Sequence, residues 1–296
     1  MAADEGKTAG PPVRYFAFPS SDGIALLGKE WGDPNAPTTV LLLHGLTRTS
    51  RDFDALAAAL VADPAQPLRV VAIDYRGRGG SGHAPWPTYT PMQEAQDILA
   101  GVDHLGLSCA VVLGTSRGGL VMFMLRHLRP ALFSAAIFND IGPVVEAAGA
   151  ARIAGYVGEP LPESWPEAIA ALQASQGFMF PRLDATGWSR YARQIHGEAG
   201  GKPCLCYDPA LGEAFKNFDP AAPQPNIWPG FDAFASVPVM VVRGALSDVL
   251  SRQTVAQMAA RHSGLVVHEV PDEGHAPLLW DEASQQAVIG FIRSVT

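Results

Sequence analysis

The sequence predicts an α/β fold, a mainly parallel sheet covered by helices on both faces. Three observations carry that expectation. Strand-like and helix-like segments alternate over most of the chain. The strand-like runs TTVLLLHG (38–45), CAVVLG (109–114) and PVMVVRG (238–244) are continuously apolar, as strands buried on both faces are. Residues 141–235 interrupt this rhythm, are rich in Pro, Gly and aromatics, and are too long for a plain loop.

Taken in order, 14–32 reads as an opening hairpin turned at Asp22-Gly23, and 38–45 as a buried strand. A helix over 51–62, with Ser50 as its cap, precedes a strand over 68–77. Pro91 suits the first turn of a helix over 91–106. A strand at 109–114, a helix at 117–128 and a strand at 134–140 follow. After the interruption come a strand at 238–244, a helix at 251–262, a short strand at 265–270 and a final helix at 282–294. This divides the chain into a flexible tail (1–12), a core (13–140 and 236–296) and an inserted helical cap (141–235).

The bulk composition narrows the function. The chain has 296 residues, 48% of them hydrophobic and 17% charged, enough for one large buried core. A net charge of −8 without a Lys/Arg block argues against nucleic acid or an anionic membrane as partner. The N-terminus lacks the basic and apolar regions of a secretory signal, so a cytoplasmic location is expected. Cys109 reads as a small buried hydrophobe. Cys204 and Cys206 form a C-x-C with no Cys/His companions, so no metal is expected.

The chemistry starts from VVLGTSRGG (111–119), where Gly114-Thr115-Ser116-Arg117-Gly118 fits G-x-S-x-G between a buried strand and a buried helix. A nucleophile raised on so tight a turn needs small neighbours, and the helix N-terminus aims amides and partial positive charge at a developing oxyanion. Serine also needs a base, usually a histidine oriented by a carboxylate. His275, in PDEGHAPLL, lies between the last short strand and the last helix. Asp248, in RGALSDVL, follows the strand ending at Gly244 and is favoured as the acid, keeping Ser–acid–His order in the usual strand–loop setting. Asp140, ending SAAIFND, is the rival acid, and otherwise lines the site. The oxyanion donors are expected to be the backbone N–H of Arg117 and that of Leu46 in HGLTRTS, with Thr47 as neighbour or substitute. His44 shapes that loop, and His83 borders the pocket. His104, His127, His196, His262 and His268 have no companion motif and read as structural or surface residues.

With His44-Gly45-Leu46, DYRGRGGSG (74–82), the serine turn at 114–118, Asp248 and Gly274-His275, nearly the whole chain resembles the α/β-hydrolase superfamily. Two departures stand out. The frequent D-x-R-G-x-G-x-S carries one extra residue here before Ser81, and Arg117 replaces the more usual His, Met or Leu. Its cation could steer an acidic substrate or pair with an internal carboxylate such as Asp140. The resemblance implies an eight-stranded, mostly parallel sheet with a helical cap after the sixth strand. It also implies hydrolysis through an acyl-enzyme without metal or cofactor. A serine rather than an aspartate nucleophile argues against dehalogenase or epoxide hydrolase chemistry. The leading expectation is hydrolysis of carboxylic esters, or lactones, of small to medium, largely apolar substrates. Trp165, Phe178, Phe180, Trp188, Tyr191, Phe231 and Phe234 of the cap supply candidate pocket walls, Trp188 foremost. Two alternatives remain: carbon–carbon hydrolysis of an acidic diketone-type ring-fission product, to which Arg117 lends support, and a non-catalytic receptor or scaffold. Dimers through a cap or edge strand are common in such folds, and the sequence neither requires nor forbids a homodimer.

Overall fold

Period-two alternation divides each central strand between two cores. In the computed structural model, which describes residues 11–219, 221–222 and 224–296, Val40 and Leu42 enter one core while Leu41 and Leu43 enter the other. Residues 1–10 of the expected tail lie outside the described residues.

The chain opens with the antiparallel pair β1 (Val13–Pro19) and β2 (Ala25–Gly32), turned at Gly23, whose φ of 84° suits glycine. After β3 (Thr38–Leu43), a 3-10 turn at Ser50–Phe53 leads into α1 (Asp54–Leu60). Its cap is Thr49, whose side chain accepts from the Arg51 amide, and not the expected Ser50. There follow β4 (Leu68–Ile73), α2 (Pro91–His104), β5 (Ala110–Thr115), α3 (Arg117–Leu128) and β6 (Phe133–Asn139). The interrupting stretch forms α4 (Ala147–Ala154), α5 (Trp165–Gln176), α6 (Ala185–Ile195), a hairpin of β7 (His196–Ala199) and β8 (Lys202–Leu205), and the short α7 (Trp228–Asp232). The hairpin was not legible in the sequence. The chain ends with β9 (Val239–Gly244), α8 (Arg252–Arg261), β10 (Val266–Val270) and α9 (Glu282–Val295).

The eight-stranded sheet runs β1-β2-β4-β3-β5-β6-β9-β10, parallel from β4 to β10. On one face α1 and α9 contribute Leu56, Leu60, Val288 and Ile292 to the core. On the other, α2, α3 and α8 contribute Ile98, Val102, Val121, Leu125, Val255 and Met258. A separate cluster of Leu172, Met179, Phe180, Trp188 and Tyr191 holds α5 and α6 together, with Leu278 from beside His275. Phe231 and Phe234 pack instead on Phe138, in the main core. Cys109 stands exposed just ahead of β5, against expectation, because the buried part of that strand begins at Ala110. Among the described residues no helix is long and apolar enough to cross a membrane.

The extra residue in DYRGRGGS is absorbed locally. Gly77 and Gly79 both take positive φ, and a Cβ on Gly79 would fall 2.1 Å from Asp74 Oδ2. Asp74 accepts from the Ser50 and Gly80 amides, and the Ser81 hydroxyl closes the turn by donating to the Asp74 carbonyl at 2.6 Å.

Candidate active site

β5 delivers Ser116 onto the turn before α3. Ser116 itself has φ 52° and ψ −113°, a conformation costing an L-residue about 1–3 kcal/mol. Close approach of strand and helix enforces it. A Cβ on Gly118 would sit 2.1 Å from the Leu43 carbonyl oxygen, and one on Gly114 would sit 2.6 Å from Gly118 C. The Ser116 amide donates to the Asn139 carbonyl at 3.0 Å, tying the turn to the end of β6.

His275 reaches this turn from the loop after β10. Its Nε2 lies 2.7 Å from Ser116 Oγ, and its Nδ1 lies 2.8 Å from Asp140 Oδ2. Asp140 is fully buried at φ 58°, and its carboxylate also accepts from the Gly244 amide at 2.9 Å and the Ser247 hydroxyl at 2.6 Å. The favoured acid of the sequence reading, Asp248, is not against His275. It forms a two-pronged ion pair with Arg152 of α4, at 2.7 and 2.8 Å. Burial pushes the Asp248 carboxyl up, but the Arg152 hydrogen bonds and charge outweigh it and hold the pKa below the usual range. The correction follows from sheet order. β6 lies between β5 and β9, so the residue after β6 emerges beside the serine turn, while the loop after β9 hands it Ser247 and carries Asp248 past toward α4.

The two expected oxyanion donors, Leu46 and Arg117, both line the cavity over Ser116. Arg117 opens α3, so its N–H has no intrahelical acceptor. A Cβ on Gly45 would fall 3.9 Å from Ser116 Cβ, which puts the HGL turn against the serine. One buried bridge joins both donor residues. Arg78 Nε donates to the Leu46 carbonyl at 3.0 Å, its Nη2 stands 2.9 Å from Glu94 Oε1 as a charge contact, and Glu94 Oε2 accepts from Arg117 Nε at 2.6 Å. The Arg117 cation is therefore spent on Glu94 and the Tyr89 carbonyl, not on Asp140. His44 is fully buried, and burial lowers its pKa and keeps it neutral. Nδ1–H then donates to the Gly45 carbonyl at 2.8 Å and Nε2 accepts from the Tyr75 amide at 3.2 Å, shaping the loop.

Above these groups lies a cavity of about 610 Å³, within the size range of small-molecule sites. Thr47 and Tyr191 line it. Trp188 does not: it is buried in the α5–α6 cluster, edge-on to Phe180 and Tyr191. His83 is exposed, 3.5 Å from Asp208, and off the cavity wall. Phe178 is exposed, and Phe231 and Phe234 are core. Conversely, Arg48, Tyr156 and Tyr207, which no motif marks, line the cavity, and so does His196, expected to be structural or on the surface. Cys204 and Cys206 flank Gly197 behind the wall, with Cys206 Sγ 2.6 Å from Arg51 Nη2.

Comparison with known proteins agrees with this architecture. The model of the alpha/beta hydrolase family matches residues 40–289. The chain is 37% identical to the 3-hydroxybutyrate-oligomer hydrolase of Cupriavidus necator, over 93% of this chain and 96% of that protein. It is 24% identical to the 2-(acetamidomethylene)succinate hydrolase of Mesorhizobium japonicum, over 86% and 87%. A crystal structure of an alpha/beta hydrolase from Novosphingobium aromaticivorans superposes with a TM-score of 0.86 at 40% identity, covering 95% of this chain and 98% of that one. The sheet order, the serine turn and these matches together establish that the chain belongs to the α/β-hydrolase family.

Proposed function

We propose that this hydrolase is a serine carboxylic-ester hydrolase acting through an acyl-enzyme, with Ser116 as nucleophile, His275 as base and Asp140 as the acid. The observation that carries the reading is the continuous contact Ser116 Oγ–His275 Nε2 at 2.7 Å and His275 Nδ1–Asp140 Oδ2 at 2.8 Å. Ser116 Oγ attacks the ester carbonyl while His275 Nε2 takes its proton. The Leu46 and Arg117 amides receive the oxyanion. The imidazolium, held by Asp140, returns the proton to the leaving alcohol, and water then repeats the sequence on the acyl-enzyme, freeing the acid and Ser116.

Relatedness to a 3-hydroxybutyrate-oligomer hydrolase over nearly the full chain supports short hydroxyacid esters as the substrate class. The apolar wall from Leu120, Ile141, Ile153 and Leu172 suits short aliphatic chains. The carbon–carbon hydrolase alternative loses its one support, because the Arg117 guanidinium is bound to Glu94.

The test is hydrolysis of p-nitrophenyl acetate through decanoate and of a linear hydroxybutyrate dimer, by wild type and Ser116→Ala. Ester turnover in wild type that disappears in Ser116→Ala is the expected result. A folded wild type that cleaves none of these esters overturns the proposal.

A further inference from the structure

Part of the cavity wall is polar: Arg48, Asp52, Tyr191, Gln194 and His196 line it, and Arg51 is hydrogen-bonded to the His196 backbone without lining the cavity itself. Arg48 leaves the HGLTR turn beside the nucleophile: a Cβ on Gly45 would lie 3.1 Å from Arg48 Cγ and 3.9 Å from Ser116 Cβ. Its guanidinium lies against the Tyr191 ring, 5.0 Å from the ring centre. Nε donates to Asp52 Oδ2 at 2.7 Å and Nη1 to the Tyr191 hydroxyl at 3.0 Å. Nη2 has no protein acceptor among the described residues. Arg51 is anchored to the His196 carbonyl at 3.0 Å and to Cys206 Sγ.

His196 completes the group. It is nine-tenths buried and on the cavity wall, and its ring has no hydrogen-bonding partner among the described residues. Burial first, then the nearby Arg48 and Arg51 charges, depress its pKa to about 4, so the ring is neutral and the local potential positive. Asp52 pairs with Arg48, and Gln194 donates to its other oxygen at 3.1 Å, whereas Arg51 has no carboxylate partner among the described residues.

We propose that Arg48 Nη2 and a ring N–H of His196 form a carboxylate subsite, so that the preferred substrate is an ester bearing a free carboxylate a few bonds from the scissile carbonyl. The inference rests on the serine ester hydrolase reading and narrows its substrate class. An anion here gains two charge-favoured donors that no protein group uses, fixed by stacking and by the Asp52 and Tyr191 contacts. A neutral ester of the same length leaves both donors unpaired in a partly desolvated wall, which costs binding.

The experiment compares the linear hydroxybutyrate dimer as free acid with its methyl ester, using wild type, Arg48→Met and Arg48→Lys, each checked for folding by circular dichroism. Wild type should prefer the free acid by about tenfold or more in kcat/KM, carried by KM. Arg48→Met should bring the ratio to within about twofold of one, and Arg48→Lys should keep part of it. As a measurement independent of any variant, free hydroxybutyrate should inhibit wild-type cleavage of p-nitrophenyl butyrate competitively, and methyl hydroxybutyrate should inhibit far less. Equal turnover of acid and methyl ester by an active wild type, or a full preference retained in Arg48→Met, overturns the subsite and leaves the ester hydrolase reading standing. Loss of all ester cleavage in wild type removes both.

Discussion

The floor of the cavity and its cover are built by different means. On the floor, Ser116, Asp140 and the Leu46 turn sit at the ends of adjacent parallel strands, and backbone contact sets their positions. Two of these residues, Ser116 and Asp140, hold positive φ without being glycine. The cover, drawn from residues 141–235, has no long strand, and its own cluster around Trp188 holds α5 and α6 together. It meets the floor through side-chain pairs such as Arg152–Asp248 and Arg48–Tyr191. In the proposed function, chemistry falls to a rigid register and selection to replaceable side chains, so damage to each should have a different signature.

The largest effect on stability should come from the bridge beneath the floor. Glu94→Gln removes the buried anion between the buried Arg78 and the partly buried Arg117 guanidinium and should cost about 3–5 kcal/mol of stability. In the folded fraction kcat should fall roughly tenfold with KM little changed, because Leu46 and Arg117 lose their shared anchor. A change confined to KM would show that the bridge does not position the oxyanion donors. Trp188→Ala breaks the cover instead. It should lower stability by about 3 kcal/mol in chemical denaturation while leaving the acyl-chain profile unchanged, since Trp188 fills the cover's core and not the cavity wall.

A smaller effect concerns Glu273, two residues before His275. Burial, with help from Asp281, raises its pKa from 4.5 to about 7, against the opposing Leu278 amide bond. The folded state therefore holds this proton more tightly than the unfolded chain, so the carboxyl lowers stability as pH rises from about 4.5 to about 7. Glu273→Gln keeps an acceptor for Leu278 and should be roughly 1–3 kcal/mol more stable than wild type at pH 8, with the two converging at pH 4. Denaturation curves at both pH values decide it, and an equal gain at pH 4 would refute a titration origin.

The same contrast explains what the sequence revealed. Continuous apolar runs are local signals, and the mainly parallel sheet and the two-faced burial of β3, β4, β5 and β9 were readable from them, though not the strand order. The elbow was readable because a strained serine between close-packed elements demands glycines nearby in sequence. The acid was not. Asp140 and Asp248 both follow strands, and only the order of those strands in the sheet puts Asp140 beside His275 and leaves Asp248 to pair with Arg152, 96 residues away. Nor could local signals rank the cavity wall. Trp188 and Tyr191 lie close together on α6 and share the cover's core, yet only Tyr191 also reaches the cavity wall. His196 carries no motif, and it gains meaning only when α6 and β7 bring it near Arg48 and Arg51.

The proposed mechanism turns on Asp140, not Asp248, as the residue that orients His275. The most direct test is kcat/KM for p-nitrophenyl butyrate in Asp140→Asn and Asp248→Asn side by side. Asp140→Asn should lose roughly 10³- to 10⁴-fold, because the imidazolium loses its buried counter-charge and correct tautomer. Asp248→Asn should change kcat/KM by no more than about fivefold, since it only weakens a half-buried ion pair with Arg152. A folded Asp140→Asn enzyme near wild-type activity, with Asp248→Asn inactive, would contradict the mechanism.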